Sequence, residues 1–180
     1  MEPPALDGSA LSAIAGGSQL RLLNLSGNKL AGSARSLAKI IRTPSLQELD
    51  LSGCGLNLDD ITRLAAALPR SQVVRLELAR NALASKELLA LTAHLAASKV
   101  EDLGLEDNEL GRGSALNSLA DAYAKRALAN IRLAGNRLSH RELAAFASQL
   151  KALRPRDAGL SLAGLWCKPG CECNGRGEVM

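Results

Sequence analysis

Aromatic residues are almost missing from this chain: one Trp, one Tyr and one Phe, 2% of 180 residues. That scarcity excludes folds whose cores rest on aromatic clusters, and it excludes the stacking platforms that hold single-stranded nucleic acid. Histidine is nearly as rare, and His94 and His140 stand at no motif spacing from a serine or cysteine nucleophile. The glycine pairs Gly16-Gly17 and Gly111-Arg112-Gly113 lack the Lys-Ser/Thr ending of a phosphate loop. No catalytic set and no cofactor is expected. No run approaches about 18 apolar residues, so no membrane span is expected. The start, Met1-Glu2-Pro3-Pro4, lacks the basic and apolar regions of a secretory signal peptide. Cys54 stands alone while Cys167, Cys171 and Cys173 crowd the C-terminal stretch, unlike an even disulfide framework. A reducing, cytoplasmic setting is the expectation.

What is present is aliphatic. Hydrophobic residues make up 47% of the chain, enough for one domain with a core of leucine and alanine. The leucines repeat. Leu20-x-x-Leu23-x-Leu25-x-x-Asn28-x-Leu30 returns as Leu46-x-x-Leu49-x-Leu51-x-x-Cys54-x-Leu56. Copies follow at Val73/Leu76/Leu78/Asn81/Leu83, Val100/Leu103/Leu105/Asn108/Leu110 and Leu128/Ile131/Leu133/Asn136/Leu138. A worn sixth copy keeps Leu160 and Leu162, with Leu165 where the Asn belongs. From Leu23 to Leu160 the steps are 26, 27, 27, 28 and 29 residues. A period in this range marks a stacked-repeat architecture.

Each repeated position has a physical reason. The Leu-x-Leu pair turns both side chains of a short strand inward, so the residue between them faces out. The following Asn or Cys turns the chain, and its side chain is placed to bond backbone groups of the neighbouring coil. Asn28, Cys54, Asn81, Asn108 and Asn136 would form a buried polar ladder, which makes Cys54 a structural residue. Helical segments lie between the strands: 33–43, 59–68, 85–97, 114–126 and 139–153. The second carries Ile61, Leu64, Ala65 and Leu68 on one face. The segments open with Ser or Asp at an N-cap position, and Pro44 and Pro69 stop the first two.

This arrangement resembles the ribonuclease-inhibitor-like class of leucine-rich repeats, whose units run to about 28 residues with a full helix on the convex side. The resemblance covers most of the chain, about Leu20–Leu165. It implies an α/β solenoid: a short horseshoe arc with a parallel concave β-sheet and convex α-helices. That class spans ribonuclease inhibitor, immune sensors, actin regulators such as tropomodulin, and the GTPase-activating protein for Ran, so fold does not select function. The expected organisation is an N-terminal half-repeat or cap over 1–19, five repeats over 20–156, and a degenerate sixth repeat with a cysteine-containing tail over 157–180.

The outward strand positions read as columns. The first holds Leu22, Glu48, Arg75, Asp102 and Asn130; the second holds Asn24, Asp50, Glu77, Gly104 and Arg132; the third holds Ser26, Ser52, Ala79, Glu106 and Ala134. Carboxylates at 48, 50, 77, 102 and 106 outnumber the bases Arg75 and Arg132. A chain of net charge +4 therefore presents an acidic concave face. Glu48, Asp50 and Glu77 lie on adjacent strands and should repel unless a basic group sits over them. The bases collect on the helices: Arg35, Lys39 and Arg42, then Lys125 and Arg126, then Arg141, Lys151, Arg154 and Arg156.

The expected function is a non-catalytic interaction module or scaffold. It would bind a protein with a basic patch through Glu48, Asp50, Arg75, Glu77, Asp102, Glu106 and Arg132. One alternative is a structural subunit of a large ribonucleoprotein or cytoskeletal assembly, docked on RNA or protein through the basic convex face. Another is a GTPase-activating-type regulator, for which Arg80 is the arginine directly before a ladder Asn. Cys167, Cys171 and Cys173 supply three thiolates but neither a C-x-x-C pair nor a nearby His, so a zinc site is not expected. A turn-rich cap with free thiols is the preferred reading there, with a Cys167–Cys171 disulfide sterically open.

Overall fold

The computed structural model describes residues 11, 13–14, 19–111, 115–125 and 128–153. Five three-residue strands alternate with five helices: β1 Leu22–Asn24, α1 Ala34–Ile40, β2 Glu48–Asp50, α2 Leu58–Ala67, β3 Arg75–Glu77, α3 Ser85–Leu95, β4 Asp102–Gly104, α4 Ala115–Lys125, β5 Asn130–Arg132 and α5 His140–Leu153. The strands form one sheet in the order β1-β2-β3-β4-β5, every pair parallel. Leu23, Leu49, Leu76, Leu103 and Ile131 stand in register across it. Each helix packs against the next, so the helices form a second layer behind the sheet.

The core is the repeat itself. Leu49, Leu76, Leu103 and Ile131 are buried at mid-strand, and Leu51, Leu78, Leu105 and Leu133 are buried just after. Leu46, Val73, Val100 and Leu128 close the floor ahead of the strands. The helices contribute Leu37 and Ile40 from α1, Ile61 and Leu64 from α2, and Leu88 and Leu91 from α3. Tyr123 and Phe146, though few, are spent inside, on α4 and α5. Each coil buries its apolar face only because a neighbour covers it.

Helix boundaries differ from the expectation where capping chemistry intervenes. Asn57, rather than Asp59, caps α2: its Oδ1 accepts from the Asp60 N–H at 3.1 Å, and Asp60 Oδ2 accepts from the Asn57 N–H at 3.1 Å. The same Oδ2 accepts from the Gly32 N–H at 2.9 Å, so a fully buried carboxylate ties the first coil to the second. Ser85 lies one residue inside α3, behind Ala84, whose N–H donates to Glu87. Ser139 caps α5 as expected, with Glu142 accepting from its N–H and the Ser139 hydroxyl accepting from the Glu142 N–H. Pro69 does stop α2, by opening a 3-10 turn over Leu68–Arg70.

Of the expected half-repeat over 1–19, Leu11 is helical and buried. The worn sixth repeat and the tail with Cys167, Cys171 and Cys173 lie outside the described residues. Among the described residues no helix is long and apolar enough to cross a membrane.

Candidate functional site

The strand register sets the outward residues side by side. Leu22, Glu48, Arg75, Asp102 and Asn130 form one row across the sheet, and Asn24, Asp50, Glu77, Gly104 and Arg132 form the next. The seven residues expected on this face comprise six in these rows and Glu106, two residues beyond β4. Six of the seven form a single ion-pair chain. Arg75 Nη1 bonds Glu48 Oε2 at 3.2 Å, and its Nε bonds Asp102 Oδ2 at 3.1 Å. Asp102 offers its other oxygen to Arg132 Nη1 at 2.5 Å. Arg132 also bonds Glu106 Oε1 through Nε at 2.7 Å, and Glu77 through Nη2. Asp50 alone is left out: its Oδ1 accepts from the Ser52 N–H at 2.8 Å, as Asn24 Oδ1 does from Ser26.

This corrects the expectation that the concave carboxylates repel until an outside cation arrives. Glu48 and Glu77 are already bridged, each by an arginine of the same sheet. The two arginines differ in setting. Arg75 is 49% exposed, where an ion pair contributes about 0–1 kcal/mol. The hydrogen bond to Asp102, with the Asp102 and Glu48 charges, raises its pKa. Arg132 is 28% exposed and meets three carboxylates. Burial works to lower its pKa, but the bonds to Glu77 and Asp102 and the charge of Glu106 outweigh it, so its value rises. Formal charge on the face stays at −3, because five carboxylates meet two guanidiniums.

Gly104 makes this network possible, and it is a residue whose role the sequence reading missed. A Cβ there would lie 1.8 Å from Glu77 Oε2 and 2.8 Å from Arg132 Nη2. The available signal was the gap itself: one glycine in a row of polar side chains.

At the strand ends the ladder is built largely as expected. Asn81 Oδ1 accepts from the N–H groups of Cys54 and Leu56, and its Nδ2 donates to the carbonyls of Leu51, Leu78 and Ala79. Asn108 repeats the set against Asn81, Leu83, Leu78, Leu105 and Glu106. Asn136 continues it to Leu105, Leu110, Leu133 and Ala134. Cys54 substitutes for half of an asparagine. Its thiol donates to the Leu25 carbonyl at 3.1 Å, but it has no side-chain carbonyl. The Asn28 and Leu30 N–H groups turn instead to the backbone carbonyls of Leu25 and Cys54. Burial, the largest influence, pushes the Cys54 thiol up to about 11, so it stays protonated and donating. A second device went unread: the buried hydroxyls of Ser71 and Ser98 cap helix-end carbonyls of Leu68 and Leu95.

The turn before each ladder residue needs a left-handed backbone. Gly27, Gly53 and Gly135 supply it in three coils, while Arg80 (φ 55°) and Asp107 (φ 52°) adopt it in the other two. Arg80 is exposed on its ascending loop, as expected, and makes no ion pair among the described residues. His94 is half-buried on α3, far in sequence from His140, which opens α5. Arg35, Lys39 and Arg42 are exposed at the first helix. Among the described residues no group of three His, Cys, Asp or Glu side chains is placed to hold a metal ion.

Two hollows flank Arg75 on the concave side. One, of about 190 Å³, is lined by Leu22, Leu23, Asn24, Glu48, Leu49, Asp50, Arg75 and Glu77. The other, about 360 Å³, runs along the strand starts past Glu48, Glu101, Asp102 and Asn130.

With this geometry in view, the comparisons with known proteins agree on the architecture. The Leucine Rich Repeat family matches residues 45–65. A solved structure titled "Leiomodin-1 Actin-Binding Site 2 (ABS2)" superposes with a TM-score of 0.68 at 15% identity, covering 87% of this chain and 91% of that one. No curated protein matches the sequence. The fold is a leucine-rich repeat solenoid.

Proposed function

We propose that this chain is a non-catalytic protein-interaction module that holds a basic patch of a partner protein against its concave sheet. The observation that carries the reading is the surplus of charge: five carboxylates against two guanidiniums on one face, with Asp50 bonded to no cation among the described residues. A concave sheet with a negative potential steers a positive partner and favours its docking. The similarity to a chain titled as an actin-binding site supports an interaction role for this architecture, and a setting inside the cell suits it.

The convex face gives the second reading. Arg35, Lys39 and Arg42 are exposed and form no ion pair among the described residues, which suits docking on RNA or an acidic surface of a large assembly. A regulator of nucleotide hydrolysis acting through the exposed Arg80 is the third.

Affinity capture at low and high salt, with bound protein and RNA both identified, tests these readings. A discrete protein partner is expected, released by salt. Asp50→Lys should weaken it about tenfold or more, while Lys39→Glu with Arg42→Glu leaves it nearly unchanged. Glu77 is left intact in this design because it anchors Arg132. Capture of RNA, or a partner lost only in the helix variant, would move the function to the convex face. Stimulated nucleotide hydrolysis abolished by Arg80→Ala would move it to the loop.

A further inference from the structure

The concave face is not uniform. From β3 to β5 its carboxylates are held by Arg75 and Arg132. Over β1 and β2 the pairing is sparser: Glu48 has one bond to Arg75, and Asp50 meets no cation among the described residues. Asp50 Oδ2 and Glu48 Oε1 accept no hydrogen bond among the described residues, and both side chains line the 190 Å³ hollow together with Arg75 and Glu77. Beside them Leu22 is 58% exposed, the most exposed large apolar side chain among those described, in a row that is otherwise polar.

The same sheet shows twice what such carboxylates hold. Arg75 bridges carboxylates of its two neighbouring strands, and Arg132 lies over Gly104 to meet carboxylates of β3 and β4 and Glu106 just beyond β4. A guanidinium suits the task because its planar fork of N–H donors bonds more than one carboxylate at once. Building on the concave-face reading above, we infer that the hollow over β1–β3 is the seat for one arginine side chain of a partner protein, with an aliphatic neighbour of that arginine resting on Leu22.

The volume suits one side chain: it lies below the roughly 300 Å³ at which small-molecule pockets begin. Charge decides against the chain's own leading segment, since residues 1–18 carry Glu2 and Asp7 and neither lysine nor arginine. The stretch 154–180 sets Arg154, Arg156, Lys168 and Arg176 against Asp157, Glu172 and Glu178, a net charge of only +1. Leucine beside the arginine supplies apolar burial that the paired half of the sheet does not offer.

The test uses the full chain, labelled with nitrogen-15, and the blocked peptide acetyl-Gly-Leu-Arg-Gly-amide. Its controls carry citrulline, which keeps the shape without the charge, or serine in place of leucine. Amide shifts are expected at 22–24, 48–50 and 75–77, with the citrulline peptide at least about tenfold weaker. Asp50→Asn should abolish the shifts, and Leu22→Ser should erase the preference for leucine over serine. Equal binding of the citrulline peptide, shifts centred on β4 and β5, or no shifts up to about 10 mM peptide would each overturn the inference. So would a concentration-dependent dimer of the parent lost in Asp50→Asn, which would make the occupant a second copy. The two proposals fail separately. A captured partner that survives Asp50→Asn but is lost on Glu106→Lys leaves the concave reading standing and removes this seat; a partner lost only on the α1 substitutions removes both.

Discussion

Arg132 on β5 is hydrogen-bonded to Glu77 on β3, two strands away across the sheet. The intervening strand does not block the reach because its residue in that row is Gly104. Side-chain pairs in sheets normally join adjacent strands, where directly opposite Cβ atoms lie about 5 Å apart. Here an arginine spans three strands, and it stiffens the half of the face that the partner is not expected to enter.

Gly104→Ala should therefore lower stability by about 1–2 kcal/mol in urea titration, since the new methyl displaces Glu77 and Arg132 together. In an Arg132→Ala background the same change should cost less than half as much, because Glu77 is then free to swing away. Strict additivity of the two substitutions would show that Gly104 does not act by opening this lane.

Asn108→Ala removes five hydrogen bonds, three of them to the preceding coil, leaving the Asn81 and Leu83 N–H groups without their acceptor. A loss of about 3–5 kcal/mol is expected, read from denaturant midpoints. Asn28→Ala should cost about 1 kcal/mol or less, as that side chain is half-buried and bonds only the carbonyls of Leu25 and Ser26. Equal losses at the two positions would contradict a ladder whose strength lies in its inter-coil bonds.

The Cys54 thiol titrates at about 11 in the folded chain against 9.0 unfolded. With the folded value raised, its contribution is complete below pH 9.0 and is lost as pH rises through about 11, because the unfolded chain gains the thiolate first. Relative to Cys54→Ala, the parent should lose up to about 2–3 kcal/mol across that window. In a chain with Cys167, Cys171 and Cys173 replaced by Ser, iodoacetamide at pH 8 should leave the native protein unmodified by mass spectrometry. Rapid native alkylation would show the thiol to be accessible and ionised.

Ala82 holds a left-handed backbone (φ 53°) at the position where the preceding coil has Gly55 (φ 66°). Ala82→Gly removes steric strain of about 1–2 kcal/mol, partly offset by the entropy of an unfolded glycine. A net gain of about 0.5–1 kcal/mol is expected in thermal melting, while Ala90→Gly inside α3 should lose about 1 kcal/mol. A fall in Tm on Ala82→Gly would mean the loop holds this conformation without strain.

By itself the sequence determined the solenoid: five Leu-x-Leu strands, the helices between them, the asparagine ladder with Cys54 in it, and the identity of every residue facing outward. These follow from periodicity, because period 2 in a strand and an apolar stripe in a helix leave one way to bury so many leucines. The tertiary structure alone decided which outward charges meet. Arg75 and Glu48 are far apart in the chain and adjacent in the sheet, and whether an arginine clamps one neighbour or three depends on side-chain reach and on empty space beneath it. Column counting sees charge but not reach, so it showed an acidic strip where folding makes a densely paired half and a sparsely paired one. Asp60 carries the same lesson, since the acid in the first turn of α2 is also the acceptor of Gly32 in the coil before. Local propensity marks where a helix begins, but only packing brings a distant N–H to the same carboxylate.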